Sequence, residues 1–408
     1  MPAAVLGFAG VLLAAVLLSS FAQRSVLSTA VLFLAAAVAM GGGLGWLHAE
    51  ASSPWVADFI ELALYTVLFT DGMRVERRRL REAWLLYSRT LLLGMPLNVL
   101  ALAAFGVWAV GLGWKPALLV AAALAPTDPV FASALIGREE VPRRLRSLLN
   151  VESGLNDGLA LPLVISMLAV LGPGKVEIFH LVRDVALGLA IGIVVPWGAA
   201  LLLRFRRLSF FGASTLYEPL AGFAVGLLVL ALCELTGANL FLGAFAAGAT
   251  LAATAPEFRD RFSEFGELLA ELFKLAALFA FGLVLSLPQL GALGGRSWLF
   301  AALAIFAARP IALSIAMAGT RIAWREWLAA AWFGPKGFAS VVFALLILKS
   351  RLPDAAALFH LLALVIAASI VLHSSTDVLV ARWFHREGES ADDEPADPEA
   401  PAAKPAGA

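Results

Sequence analysis

Five ionisable side chains lie deep inside otherwise apolar stretches of this sequence: Asp128, Glu152, Asp157, Arg309 and Lys336. Such groups are costly to hold in apolar surroundings and are functional suspects by default. Their neighbours say what chemistry they can do. Asp128 lies in Ala125-Pro126-Thr127-Asp128-Pro129. Pro129 has no N–H and disfavours helical geometry at Asp128, and Pro126 does the same to Ala125. A helix should unwind there and free main-chain carbonyls such as that of Thr127. Irregular backbone of this kind is tolerated only where it is buried in protein or lines a cavity. Carbonyls, a threonine hydroxyl and a carboxylate together are oxygen ligands for a hard cation. In Glu152-Ser153-Gly154-Leu155-Asn156-Asp157, Ser153 and Asp157 share one helix face, while Glu152 and Asn156 share the next. The first face offers a hydroxyl and a carboxylate to an ion. The second offers a carboxylate and an amide to hold the site in shape. Carboxylates crowded together without a cation repel, so a proton replaces the ion on one of them. Ion and proton then compete for the same oxygens. Arg309 is expected to pair with Glu152, leaving the aspartates for the ion. Lys336, in Gly334-Pro335-Lys336-Gly337, is expected to balance the carbonyl ends of a second interrupted helix.

The elements that must position these groups are membrane spans. Of 408 residues, 61% are hydrophobic and 15% charged, too apolar for a soluble chain of this length. About 13 stretches are long enough to cross a bilayer: 3–21, 26–47, 56–70, 84–111, 115–137, 148–171, 180–203, 217–236, 238–254, 268–287, 297–319, 327–348 and 355–380. Arg24, the run from Arg74 to Arg81, and clusters near Arg143, Arg206, Arg259, Arg321 and Arg382 then all fall on one side. The positive-inside rule puts that side in the cytoplasm. The expectation is a multi-pass protein of the cell inner membrane with its N-terminus outside and its C-terminus inside. No basic residue precedes the first apolar run, so it reads as a span and not a cleavable leader. Residues 386–408, rich in Glu, Asp, Pro and Ala, are expected to be a disordered cytoplasmic tail behind a transporter domain at 1–385. Zero net charge points to no nucleic acid. The lone Cys233 can form no internal disulfide and no metal site.

If span 7 divides the chain, two blocks of six helices follow one another as inverted repeats, a common build of secondary transporters. The fold class is all-α, with the interrupted spans 5 and 12 crossing. Interrupted helices in corresponding positions point to a binding site at mid-membrane.

Ala125-Pro126-Thr127-Asp128-Pro129-Val130, Glu152-Ser153-Gly154-Leu155-Asn156-Asp157-Gly158 and Phe333-Gly334-Pro335-Lys336-Gly337 resemble the monovalent cation:proton antiporters of the NhaP and Na+/H+ exchanger type. The resemblance covers about residues 5–385, and the middle motif is its most specific part. It implies an ion site at Thr127, Asp128, Ser153 and Asp157, taking Na+ (and Li+) against H+, with no cofactor. It implies a structural Glu152–Arg309 pair, and an Asn156-Asp157 pair that marks electroneutral exchange. It further implies a homodimer whose core (spans 4–6 and 11–13) moves like an elevator against a dimer part (spans 1–3 and 8–10). Many members carry arginine where Lys336 stands.

Other readings remain beside this one. A K+/H+ antiporter would use the same ligand types. An organic-solute symporter should show more aromatic and hydrogen-bonding side chains at mid-depth. An intramembrane protease using Asp128 and Asp157 lacks the Gly-x-Gly-Asp context, so no enzyme is expected. Elsewhere, Glu271 and Lys274 are three apart and expected to pair, and Arg89 to snorkel to the inner surface. The glycine pairs Gly41…Gly45, Gly188…Gly192 and Gly222…Gly226 permit close helix packing.

Overall fold

The computed structural model describes residues 2–17, 29–43, 46–47, 54–74, 88–128, 141–172, 178–205, 218–320, 322–350 and 352–392. Among them every regular element is helical. In chain order these are α1 (Pro2–Leu17), α2 (Thr29–Val38, continued by a wider turn to Gly43), α3 (Pro54–Met73), α4 (Met95–Phe105) and α5 (Trp114–Leu124). Then follow α6 (Arg143–Leu171), α7 (Ile178–Phe205), α8 (Glu218–Thr236), α9 (Leu240–Thr254) and α10 (Pro256–Val284). After a short turn at Leu287–Gly291 come α11a (Gly295–Phe306), α11b (Ala308–Ala316), α12a (Trp324–Trp332), α12b (Phe338–Lys349) and α13 (Ala355–Asp392).

Each expected span therefore contains a described helix, and the differences lie at the ends. α4 is flanked by wider helical turns at Thr90–Gly94 and Gly106–Val110. It stops at Gly111, whose φ of 84° is open to glycine but strained for a side chain. α10 starts at Pro256, well before the expected 268; proline suits the first turn of a helix, and none follows it before Pro288. α13 runs to Asp392, past the boundary expected at 385, since no proline interrupts it before Pro395. The expected second half of span 5, the arginines from Arg77 to Arg81, and residues 393–408 lie outside the described residues.

Five of these segments are both long and apolar enough to cross a membrane: Thr90–Val110, Arg143–Leu171, Val182–Leu202, Gly295–Ala316 and Ala355–Thr376. α7 and α8 turn large apolar side chains outward, with Leu202 75% and Leu235 82% exposed. In water that would be an association surface; against lipid tails it is the normal exterior.

Close backbone approach sets the packing. A Cβ on Gly72 of α3 would strike the Phe245 carbonyl, and one on Gly248 of α9 would strike the Phe69 carbonyl. These two helices touch main chain to main chain, the arrangement that small residues allow within a membrane. Gly188 and Gly192 of α7 meet the backbone at Asn239 and Gly243 in the same way. Gly41 meets the backbone of Leu283 on α10. Gly226 instead faces the ring of Phe69, and its carbonyl accepts the Tyr65 hydroxyl at 2.5 Å. A second group of helices, α4, α5, α6, α11b, α12b and α13, packs around the two interruptions at residues 125–128 and 333–337. Arg89 lies at the rim of this group. Its Nη2 donates to the Ala318 carbonyl at 3.0 Å, beyond the C-terminal end of α11b, where a cation is favoured.

Candidate functional site

The two breaks touch. The Asp128 N–H donates to the Pro335 carbonyl at 3.0 Å. The Phe338 N–H donates to Asp128 Oδ2, also at 3.0 Å. Phe338 opens α12b, so the Asp128 carboxylate caps a half-helix of another segment, where the orphan N–H groups and the dipole favour a negative charge. Gly337 is needed for the approach: a Cβ there would overlap the Asp128 side chain. The prolines thus do more than free carbonyls. They let one unwound segment pair its backbone with the other.

All eight residues expected at the site are buried: Thr127, Asp128, Glu152, Ser153, Asn156, Asp157, Arg309 and Lys336. α6 carries four of them. Its Ser153 hydroxyl donates back to the Leu149 carbonyl at 2.5 Å, so the hydroxyl oxygen keeps its lone pairs for another partner. Asn156 Nδ2 donates to Thr127 Oγ1 at 2.7 Å, tying α6 to the first break. Asp157 Oδ1 is buried without a hydrogen-bond partner among the described residues.

Glu152 faces the other way. Its two oxygens take Arg309 Nη1 at 2.5 Å and Nη2 at 2.8 Å, while Arg309 Nε donates to the Ala330 carbonyl at 2.8 Å. This two-point pair uses up the Glu152 carboxylate and joins α6 to α11b and α12a. A Cβ on Gly334 would overlap the Arg309 side chain, so the second break also makes room for the guanidinium. Lys336 sits on this side of the site. Its charge acts with those of Arg309 and Glu152. Its N–H donates to Ser369 Oγ at 2.9 Å, and Ser369 shares a hydrogen bond with His373 Nδ1 at 3.1 Å. His373 Nε2 meets the Trp332 carbonyl at 3.0 Å. A buried Ser369–His373 pair on α13 thus supports the backbone of the second break at Lys336.

One member of the site is not apparent from sequence. Asp71, at the end of α3, is 5% exposed, and its charge bears on Asp157 together with that of Asp128. Lys274 of α10 is the opposing cation. Its charge acts with Asp71 and Asp128 and also with Glu271, on which Lys274 is the foremost charge, so the expected Glu271–Lys274 pairing is shared with the interior carboxylates. Helical spacing puts Glu271 within reach, and the packing of α10 against α3 and α12b buries Lys274, which brings it under the charges of the interior as well. Asp71 directly precedes an arginine-rich segment and reads as an interfacial residue. The signal that points inward is Gly72 beside it, which marks the close contact with α9. The Asp71 carboxylate also meets Arg74 at 3.5 Å. Among the described residues, no three His, Cys, Asp or Glu side chains cluster as ligands of a resident metal.

The arrangement has two halves. One is a neutralised scaffold, Glu152 with Arg309. The other holds Asp71, Asp128 and Asp157 with the Lys274 ammonium, Arg74 meeting Asp71 at its edge, plus hydroxyl and carbonyl oxygens, with an unpartnered oxygen on Asp157. An unpaired buried carboxylate is destabilising. A proton or a small cation relieves it, and either does so by occupying the same oxygens.

Comparison with known proteins agrees with this geometry. Residues 8–383 match the family model described as sodium/hydrogen exchanger, transmembrane. A K(+)/H(+) antiporter NhaP of Alkalimonas amylolytica is 26% identical over 355 residues, which are 85% of this chain and 60% of that protein. A K(+)/H(+) antiporter NhaP2 of Shewanella sp. (strain MR-4) is 24% identical over 384 residues, 91% of this chain and 66% of that one. The chain thus spans somewhat under two thirds of these relatives' length. The structure of the sodium proton antiporter MjNhaP1 from Methanocaldococcus jannaschii superposes with a TM-score of 0.77 at 18% identity. The superposition covers 93% of this chain and 98% of that one, a likeness of fold.

Proposed function

The chain belongs to the sodium/hydrogen exchanger family, and on that premise we propose that it exchanges a monovalent cation, Na+ (with Li+), for protons across the cell inner membrane. The observation that carries this reading is the Asp157 carboxylate: buried, with Oδ1 unpartnered, and facing the charges of Asp128 and Asp71. Thr127, Asp128, Ser153 and Asp157 hold the ion. Glu152, Asn156, Arg309 and Lys336 hold the site. When the cation leaves, a proton takes its place on a carboxylate, and the loaded forms carry the same charge. Asn156 is neutral and adds no further titrating group, so one cation exchanges for one proton without net charge movement.

Alternating access then follows an elevator-like path. The core of spans 4–6 and 11–13 carries the site past a dimer part of spans 1–3 and 8–10 in a homodimer. Each part takes three spans from each of two inverted six-helix repeats, and the N-terminus faces outward with the C-terminus cytoplasmic. The position of Asp71 and Lys274 on α3 and α10 supports this division, because they place charges of the stationary part against the ion site of the moving one.

A second reading takes K+ as the cation, since the relatives of broad coverage are named K(+)/H(+) antiporters. The test is cation-driven proton movement in proteoliposomes, followed with a pH-sensitive dye, for Na+, Li+ and K+, with Asp157→Asn as control. Dissipation of a pH gradient by Na+ or Li+, unaffected by clamping the membrane potential and lost in the control, is the expected result. Activity with K+ alone changes the substrate and keeps the mechanism. No response to any of the three in folded, inserted protein refutes exchange.

A further inference from the structure

Asn156 is bonded on one side only. Its Nδ2 holds Thr127 Oγ1 at 2.7 Å, while its Oδ1 is buried with no partner among the described residues. A second amide oxygen in the same condition belongs to Asn98 of α4. The two side chains are 2% and 5% exposed. Both line one small cavity, whose walls also include Glu152, Arg309, Met95 and Leu313. It offers about 10 Å³ to the centre of a water molecule, close to the least that one water needs. Two buried acceptors without donors are rare in native proteins and call for a group that can donate twice. A cation could also satisfy them, but the Arg309 guanidinium lines the same walls and disfavours it. An apolar occupant satisfies neither oxygen.

We propose that this cavity is a binding site for one ordered water, which donates to Asn98 Oδ1 and Asn156 Oδ1 and makes Asn98 a positioning residue for Thr127. An amide presents an oxygen or an NH2 according to its flip, and a donor at Oδ1 fixes the flip that turns Nδ2 to the threonine. The Thr127 hydroxyl then accepts from Asn156, and its orientation towards the ion is set from behind. Asn98 is not among the four residues proposed to hold the ion. The inference rests on the reading of Thr127 as an ion ligand.

The test compares Asn98→Leu, Thr127→Val and the double variant in proteoliposomes, reading KM and maximal rate for Na+ and for K+. Asn98→Leu is expected to raise KM about tenfold and to leave the maximal rate within about twofold. Thr127→Val should raise KM at least as much, and adding Asn98→Leu to it should change nothing further. Asn98→Asp, which keeps an acceptor oxygen at this position, should bring KM back to within about threefold of the parent. An unchanged KM in Asn98→Leu overturns the inference while leaving the ligand reading intact. So does full additivity in the double variant. An unchanged KM in Thr127→Val removes the ligand reading and the inference with it. Should Asn98→Leu not fold, a density map of the parent protein at a resolution that shows ordered water decides. A peak about 2.7–3.2 Å from both oxygens supports the site, and an empty cavity overturns it.

Discussion

Removing Glu152 should damage the protein far more than removing Glu152 and Arg309 together. The pair is buried, with side-chain exposures of 9% and 7%, and is joined through Nη1 and Nη2, with Nε bound to Ala330. Breaking a buried pair by deleting one partner costs about 3–5 kcal/mol, because the other charge is left in low dielectric. Glu152→Leu strands a guanidinium, which cannot give up its proton, so it should fall at the upper end of that range. Arg309→Met strands a carboxylate, which can take up a proton, so it should fall at the lower end. Arg309→Met also removes the hydrogen bond to Ala330, worth about 1 kcal/mol. The double variant strands no charge and fills the space with apolar groups, an exchange often neutral or favourable. Its deficit should be within about 2 kcal/mol of the parent, giving a coupling of several kcal/mol in the cycle. The assay is equilibrium unfolding in mixed micelles for the four proteins, with cation-driven proton movement measured on the same samples. Additive losses would refute the reasoning. So would a well-folded double variant that moves no protons, since Glu152 would then take part in the ion chemistry and not only support it.

Further outcomes follow from the same geometry. Asp128→Asn keeps an oxygen for the Phe338 N–H and should remain folded while losing transport; Asp128→Ala should in addition lose about 1 kcal/mol of stability with the cap, measured by the same unfolding assay. Because proton and cation occupy the same oxygens, lowering the pH on the cation side should raise KM for the cation and leave the maximal rate unchanged. A fall in maximal rate at constant KM would count against direct competition. Asp71→Asn removes one of three carboxylates at the site and should raise KM for Na+ several-fold without unfolding the protein, as read by transport and gel filtration together. Gly248→Ala places a methyl group against the Phe69 carbonyl. It should destabilise the protein by about 1–3 kcal/mol, and an unchanged midpoint would mean that α3 and α9 can separate freely.

How much of this was legible in sequence depends on how loudly each residue contrasts with its surroundings. Asp128, Asp157, Arg309 and Lys336 are charges in apolar runs, and that contrast alone singles them out. The prolines around Asp128 and at Pro335 announce both breaks. Helical spacing along α6 is enough to put Ser153 with Asp157 and Glu152 with Asn156. The tertiary partner of each group is a different matter. That Asp128 caps α12b depends on where a segment some two hundred residues away is placed, which no local pattern encodes. Lys274 shows the limit from the other side. Helical spacing offers it Glu271, and the packing of α10 against α3 adds Asp71, so the sequence names one partner and the fold supplies the other.

Asn98 and Asp71 stay silent for opposite reasons, and together they show where function hides in a membrane sequence. Asn98 carries no charge, so it passes as one polar residue in a long apolar helix; only its unpartnered oxygen and its shared cavity with Asn156 mark it. Asp71 carries a charge but stands next to an arginine-rich segment, so it passes as part of the interface; only its burial, and the main-chain contact of Gly72 with α9, draw it inward. In both cases the signal is a second helix arriving at close range. The candidate site is therefore built in two stages. Charges and breaks, fixed along the chain, supply the proposed ligands. Close helix contacts, fixed only on folding, decide which further groups those ligands see.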